Sequence, residues 1–166
     1  MSDFLRLQSK APAAPPLRES LWCWLGASLA IAAAMGLTEI TATPWLMLPF
    51  GATCVLIFGV PESPLAQPRH VIGGHVIAAL LALCLVQAFG NAVWVQALAV
   101  GLSILLMQQT RTVHPPAGAT PLVVMASTPG WSFLLSPVLT GALLMVTIAW
   151  LIHRLRQPGS YPKYWW

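Results

Sequence analysis

Stretches apolar enough to lie in lipid dominate this chain, and charge is almost absent from them. A membrane-crossing helix needs about 20 largely apolar residues, with a range near 17–25. Four runs serve: residues 21–37, 71–89, 92–107 and 131–152. Two more are apolar but interrupted near their starts: 45–60, by Pro49 and Gly51, and 113–128, by Pro115, Pro116 and Gly118. Charged residues are 7% of the chain and hydrophobic ones 57%. Soluble domains carry about 25% charged residues, so water alone cannot solvate this surface and lipid must supply part of the solvent. With 166 residues there is room for one membrane domain and no soluble catalytic domain.

The formal net charge of +4 would raise nucleic acid as a partner in a soluble protein. Here Lys and Arg mark the cytoplasmic side of a membrane, and no nucleic-acid role is expected. If all six runs cross with the N-terminus inside, the connections near 38–44, 90–91 and 129–130 lie outside and hold no Lys or Arg. Arg6, Lys10, Arg18, Arg69, Arg111, Arg154, Arg156 and Lys163 then all lie inside. If both interrupted runs instead re-entered, Arg69 and Arg111 would move outside. The charge pattern therefore predicts six crossings, in a bacterial inner membrane, with both termini cytoplasmic. Residues 1–20 read as a cytoplasmic tail rather than a signal peptide, 21–153 as the membrane domain, and 154–166 as a second tail. Cys23, Cys54 and Cys84 sit in apolar runs, are odd in number and form no CxxC pair. They read as small buried hydrophobes.

The chain also repeats itself. Pro49-Phe50-Gly51-Ala52-Thr53 matches Pro116-Ala117-Gly118-Ala119-Thr120 at an offset of 67. The register persists: Val55 aligns with Leu122, Val71 with Val138, Ile72 with Leu139 and Gly74 with Gly141. Repeat one covers about 21–90 and repeat two about 91–153. Each holds three segments, an odd number, so the second copy enters the membrane from the opposite side. The expected architecture is all-α: six transmembrane segments as two inverted repeats of three, the middle segment of each broken at Pro-x-Gly-Ala-Thr. Each motif would begin a half-helix near the midplane, with Thr53 or Thr120 in its first turn. Unpaired N–H groups at such helix starts favour anions. The alternative is that Pro and Gly only kink two tightly packed helices.

Three stretches then carry a resemblance. They are Thr112-Val113-His114-Pro115-Pro116-Ala117-Gly118-Ala119-Thr120-Pro121, the segment from Pro49 to Ala52, and Val60-Pro61-Glu62-Ser63-Pro64-Leu65-Ala66-Gln67-Pro68-Arg69 followed by Val71-Ile72-Gly73-Gly74-His75. Together, in order, they resemble the HPP family of integral membrane proteins over roughly residues 21–155. The resemblance implies a small membrane protein. Plant and cyanobacterial members are implicated in nitrite transport, and other members carry CBS regulatory domains after the membrane part. The family is often described with four transmembrane segments; the charge pattern here gives six.

These strands of reasoning converge on membrane transport of a small monovalent anion, nitrite first. The expected substrate contacts are Gly51, Ala52, Thr53, Gly118, Ala119 and Thr120, with His114, Pro115 and Pro116. His75, His114, Arg111 and Arg69 are the candidates for gating or proton coupling. For His114, whose type titrates near pH 6.5 when unperturbed, two roles stand open: handling an anion or a proton, or capping backbone around the prolines. For His75, within a span, a pathway role stands beside contact with headgroups near the inner end. Glu62 is expected to pair with Arg69. Small-residue stripes at Gly26, Ala30 and Ala34 and at Gly74, Ala78 and Ala82 suit close helix packing, within the protomer or in a homo-oligomer, most simply a dimer. The four histidines show no metal-ligand spacing and the serines no evident base, so no metal, cofactor or enzyme activity is expected. An anion channel, a non-transporting scaffold subunit and a redox subunit are the rival roles.

Overall fold

Every regular element among the described residues is helical, one of the two ways in which a backbone satisfies itself in lipid. The structure, a computed structural model, describes residues 13–165. Arg6 and Lys10 of the expected tail, and Trp166, lie outside the described residues. In chain order come α1 (Leu17–Thr41), α2 (Pro49–Cys54) running into a π turn (Val55–Gly59), and α3 (Pro68–Phe89). α4 (Val93–Gln109) follows, then a 3-10 turn (Pro115–Ala119) leading into α5 (Thr120–Ser127), and a second π turn (Leu134–Leu139) leading into α6 (Thr140–Arg156). Among the described residues there is no strand.

Among the described residues three helices are long and apolar enough to cross a membrane: Leu17–Thr41, Pro68–Phe89 and Leu134–Arg156. At about 1.5 Å per residue these reach past a hydrocarbon core of about 30 Å. α4, at 17 residues, falls a little short. α5, at 8 residues, and α2, at 6 with a further 5 in its π turn, cannot cross as helices alone. These two short helices begin at or just after the repeated motif. Its first member does not interrupt a helix, as the sequence suggested. Pro49 instead occupies the first turn of α2, and residues 49–53 are helical. Proline suits that position because its φ is already helical and its missing N–H has no partner to lose. The non-helical backbone lies just before, at 44–47 and 112–114.

Contacts sort the segment ends onto two faces. On one, Glu19 pairs with Arg156, Lys163 with Glu62, and Arg69 donates to the carbonyls of Thr110 and Arg111. Glu62 thus meets Lys163 of the C-terminal tail, and the Arg69 guanidinium caps the end of α4. On the other, the Trp45 backbone N–H donates to Thr38, Ser136 donates to the carbonyl of Pro44, and Asn91 to the carbonyl of Met125. All described basic residues belong to the first face or to the helix ends leading to it.

The core lies between α1, α3 and α6, where Ala30, Ala34, Phe58, Ala82, Leu83 and Ala149 are buried. Both small-residue stripes are buried within the protomer. Two glycines do more than fill space. A Cβ on Gly74 would stand 2.8 Å from His114 Cβ, 3.0 Å from the Thr112 carbonyl and 3.3 Å from Ala117 Cβ. A Cβ on Gly141 would stand 2.5 Å from the Trp45 carbonyl and run into the Phe50 ring. Gly141, Thr112 and Ala117 sit 67 residues after Gly74, Trp45 and Phe50. Each glycine is a socket for the pre-helix segment of the other half.

Candidate functional site

Because Gly74 lets the chain around His114 lie directly on α3, and α2 and α5 begin beside it, four polar side chains meet in the apolar interior. Thr53, His75, His114 and Thr120 are each 0% exposed. His114 Nε2 lies 3.0 Å from Thr53 Oγ1, and Thr53 Oγ1 lies 3.0 Å from His75 Nε2. His75 Nδ1 lies 2.9 Å from Thr120 Oγ1. At the other end His114 Nδ1 lies 2.8 Å from the carbonyl of Leu65. The two imidazoles are edge to face at 5.1 Å, and Phe50 closes the far side of His75, also at 5.1 Å.

The proton positions follow from the last acceptor. A carbonyl can only accept, so His114 Nδ1 carries hydrogen. In the neutral ring Nε2 is then bare and accepts from the Thr53 hydroxyl. Thr53 Oγ1 accepts in turn from His75 Nε2–H, which leaves His75 Nδ1 to accept from Thr120. Every bond points the same way, from Thr120 to Leu65, and every ring nitrogen is used. Thr53 and Thr120, the equivalent residues of the two motif copies, are thereby joined through one histidine.

Of the other residues the sequence singled out, Pro116 is buried beside the chain, while Gly51, Ala52, Pro115 and Ala119 face outward. Pro49, Ala52 and Ala119 line an apolar groove between α2 and α5, with Leu48 and Leu122 at its rim. Cβ atoms on Gly51 and Gly118 would meet open space. Arg69 and Arg111 stand on the basic face, where Arg69 bonds to the carbonyls of Thr110 and Arg111. The first N–H groups of α2 and of the 3-10 turn are already engaged: Phe50 and Gly51 donate to the carbonyls of Met47 and Leu48, and Ala117 to that of His114. The polar capacity of the site therefore resides in side chains more than in bare helix starts. Sequence reasoning missed the Gly74 socket as a site-forming feature. Its signal was the Gly74–Gly141 match across the repeat. Among the described residues no three of His, Cys, Asp and Glu gather closely enough to hold a metal ion.

A family model for the HPP transmembrane region matches residues 12–162, nearly the whole chain. The chain belongs to the HPP transmembrane family. Two transmembrane proteins of Dictyostelium discoideum are similar to this HPP protein. One is 39% identical over 171 residues, 96% of this chain and 60% of the relative. The other is 35% identical over 169 residues, 95% of this chain and 54% of the relative. The chain thus spans somewhat more than half the length of these curated relatives. No solved structure matches it.

Proposed function

We propose that this HPP protein carries a small monovalent anion, nitrite first, across the membrane, and that the passage runs between α2 and α5 at the histidine–threonine chain. One observation carries the proposal: a fully buried, fully bonded chain of two histidines and two threonines at the junction of two short helices, inside a largely apolar helical protein. Ionisable side chains at membrane depth are costly and mark solute or proton pathways. Helices too short to cross, meeting in the interior, are the device by which many secondary carriers build a central site. The resemblance to HPP members implicated in nitrite transport supplies the choice of anion.

In this arrangement all six segments cross, the two halves are inverted repeats, and the basic face is cytoplasmic. The sockets at Gly74 and Gly141 support that pairing, because each half seats the equivalent segment of the other. The chain leaves no open volume between its members, so a solute enters only when α2 and α5 part. That favours a carrier over a channel. Arg69 and Arg111 attract anions to the cytoplasmic mouth. The groove between α2 and α5 brings motif backbone to the protomer surface, and a second copy of the chain covers it in the bilayer.

Flux into liposomes holding only this protein tests the proposal, with nitrite, nitrate, formate and chloride offered in turn. Saturable uptake is expected for nitrite. Replacing Thr53 by Val should lower it about ten-fold or more, the effect of losing roughly 1.4 kcal/mol of polar contact. Silence toward every anion from well-folded protein would leave a scaffold or another solute class in its place.

A further inference from the structure

We infer that the Thr120–His75–Thr53–His114 chain carries one proton, and that the anion crosses paired with it as a neutral unit. The inference rests on the transport reading above and names its coupling ion. The neutral chain is fully bonded in one order, set by the Leu65 carbonyl. One further proton fits without stranding a buried polar atom. It binds His114 Nε2, whose N–H then donates to Thr53 Oγ1 along the same 3.0 Å line. The Thr53 hydroxyl hydrogen, displaced from that line, turns to the carbonyl of Pro49, 3.3 Å away. Thr53 Oγ1 then accepts from both rings, and the bonds from Thr120 to His75 and from His114 to Leu65 stay as they were. The two states differ by one proton and one hydroxyl rotation. Nothing else in the interior has to move. His75 offers no such place: hydrogen on its Nδ1 would confront Thr120 Oγ1, which has no second partner among the described hydrogen bonds.

The loaded chain bears a positive charge at membrane depth, and no described carboxylate faces it. Glu19 pairs with Arg156, Glu62 pairs with Lys163, and Glu39 is exposed at the far end of α1. On the elements packed around the pair, the remaining titratable or charged groups are Cys54 on α2, Arg69, His70 and Cys84 on α3, Arg111 before the 3-10 turn, and His153, Arg154 and Arg156 on α6. None supplies negative charge in this setting. His70 is held by the Val113 carbonyl and Tyr164. A buried charge without a partner is strongly unfavourable. A monovalent anion is the counter-charge the loaded state lacks, and its arrival stabilises the proton on His114. The empty, deprotonated chain is neutral and can return alone.

The test is nitrite uptake by the full chain in liposomes, near pH 7.5 to 8, with an internal pH dye, potassium and valinomycin to set the potential, and empty liposomes to subtract nitrous acid leakage. The expected result is uptake accelerated by an inward proton gradient, one proton entering per nitrite, and no response to potential. His114→Gln should lose the response to the gradient. Wild-type uptake that ignores the pH gradient, or that carries current, overturns the pairing and leaves the transport reading standing. Absence of any anion uptake overturns both, and ring ¹⁵N shifts of the protein in bilayers then judge the proton site alone. His114 with its neutral hydrogen on Nδ1, charging before His75, supports it; the reverse order or the other tautomer refutes it.

Discussion

Gly74 and Gly118 flank the same site, yet only one of them has no room for a methyl group. A Cβ at Gly74 meets main-chain and Cβ atoms at 2.8–3.3 Å, none of which is the far end of a flexible side chain. The backbone around His114 must therefore retreat. Gly74→Ala should cost about 1–3 kcal/mol, as overpacking does, and weaken the bond between His114 and Thr53. Gly118→Ala meets nothing and should be close to neutral. Thermal melts of the two variants in detergent would separate these outcomes, and equal melts would refute the socket. Thr53→Val leaves His75 Nε2–H and His114 Nε2 facing a methyl group, and a buried unpaired polar group costs roughly 1–3 kcal/mol. Its melt should fall while that of Thr53→Ser stays near the parent. All four members of the chain were legible in the sequence, from the motif and from intramembrane histidine. Their meeting was not. His75 reads as lying near the inner end when residues are counted along its helix, because counting ignores the segment that folds back onto Gly74.

At the end of α4 the chain reverses through a tight cap. The Thr112 N–H reaches the Met107 carbonyl at 2.8 Å and the Arg111 N–H reaches that of Gln108 at 3.2 Å, with Arg111 at φ 57°. That is the Schellman arrangement, with arginine at the left-handed position where glycine is usual. A left-handed L-residue costs about 1–2 kcal/mol. Arg111→Gly should therefore raise the melting temperature. If Arg111 also draws anions to the mouth, the same variant should raise KM for nitrite with little change in kcat, so stability and function move in opposite directions. On the same face the C-terminal tail is strapped down by Tyr161, which donates to the Ala66 carbonyl at 3.0 Å. Burial pushes its phenol pKa well up. The folded protein thus holds this proton more tightly than the unfolded chain. The strap's contribution is full below the ordinary tyrosine value of about 10 and is lost as pH rises beyond it. Between pH 9 and 11 the parent's melt should fall more steeply than that of Tyr161→Phe. The start of α5 at Thr120 was legible to within a few residues, but that of α2 was not, because Pro49 was read as a break and instead opens the helix. Nor was the π turn after α2. The Ile57 and Phe58 carbonyls at that turn accept from His153 and Cys23 on distant helices, and no local pattern encodes such partners.

Across the whole molecule, the repeat offset of 67 and the one-sided distribution of Lys and Arg were both readable from the chain. What they could not decide is whether the segments holding the short helices cross or turn back. Among the described residues only three helices are long enough to cross unaided, so length leaves both possibilities. The two arrangements put different groups on each side of the membrane. If every segment crosses, Thr43 and Gly130 face outward and Gln109 and Gln157 face the cytoplasm. If both short segments turned back, Gln109 and Arg69 would move to the outside while Thr43 and Gly130 stayed there. All four positions are exposed on the protomer, so single cysteines placed there should react when accessible. The background must lack Cys23, Cys54 and Cys84; serine at 23 keeps the donor to the Phe58 carbonyl. A membrane-impermeant maleimide added to intact cells should label Thr43→Cys and Gly130→Cys at once, and Gln109→Cys and Gln157→Cys only after permeabilisation. Labelling of Gln109→Cys from outside would remove the inverted repeat. It would also put Arg69, Arg111 and the Leu65 end of the histidine chain on the outer side. With crossing intact, His114 lies nearest the cytoplasmic loop at Leu65, and Thr120 marks the outer end of the chain. That polarity gives the chain's one-way hydrogen-bond order a direction relative to the cell.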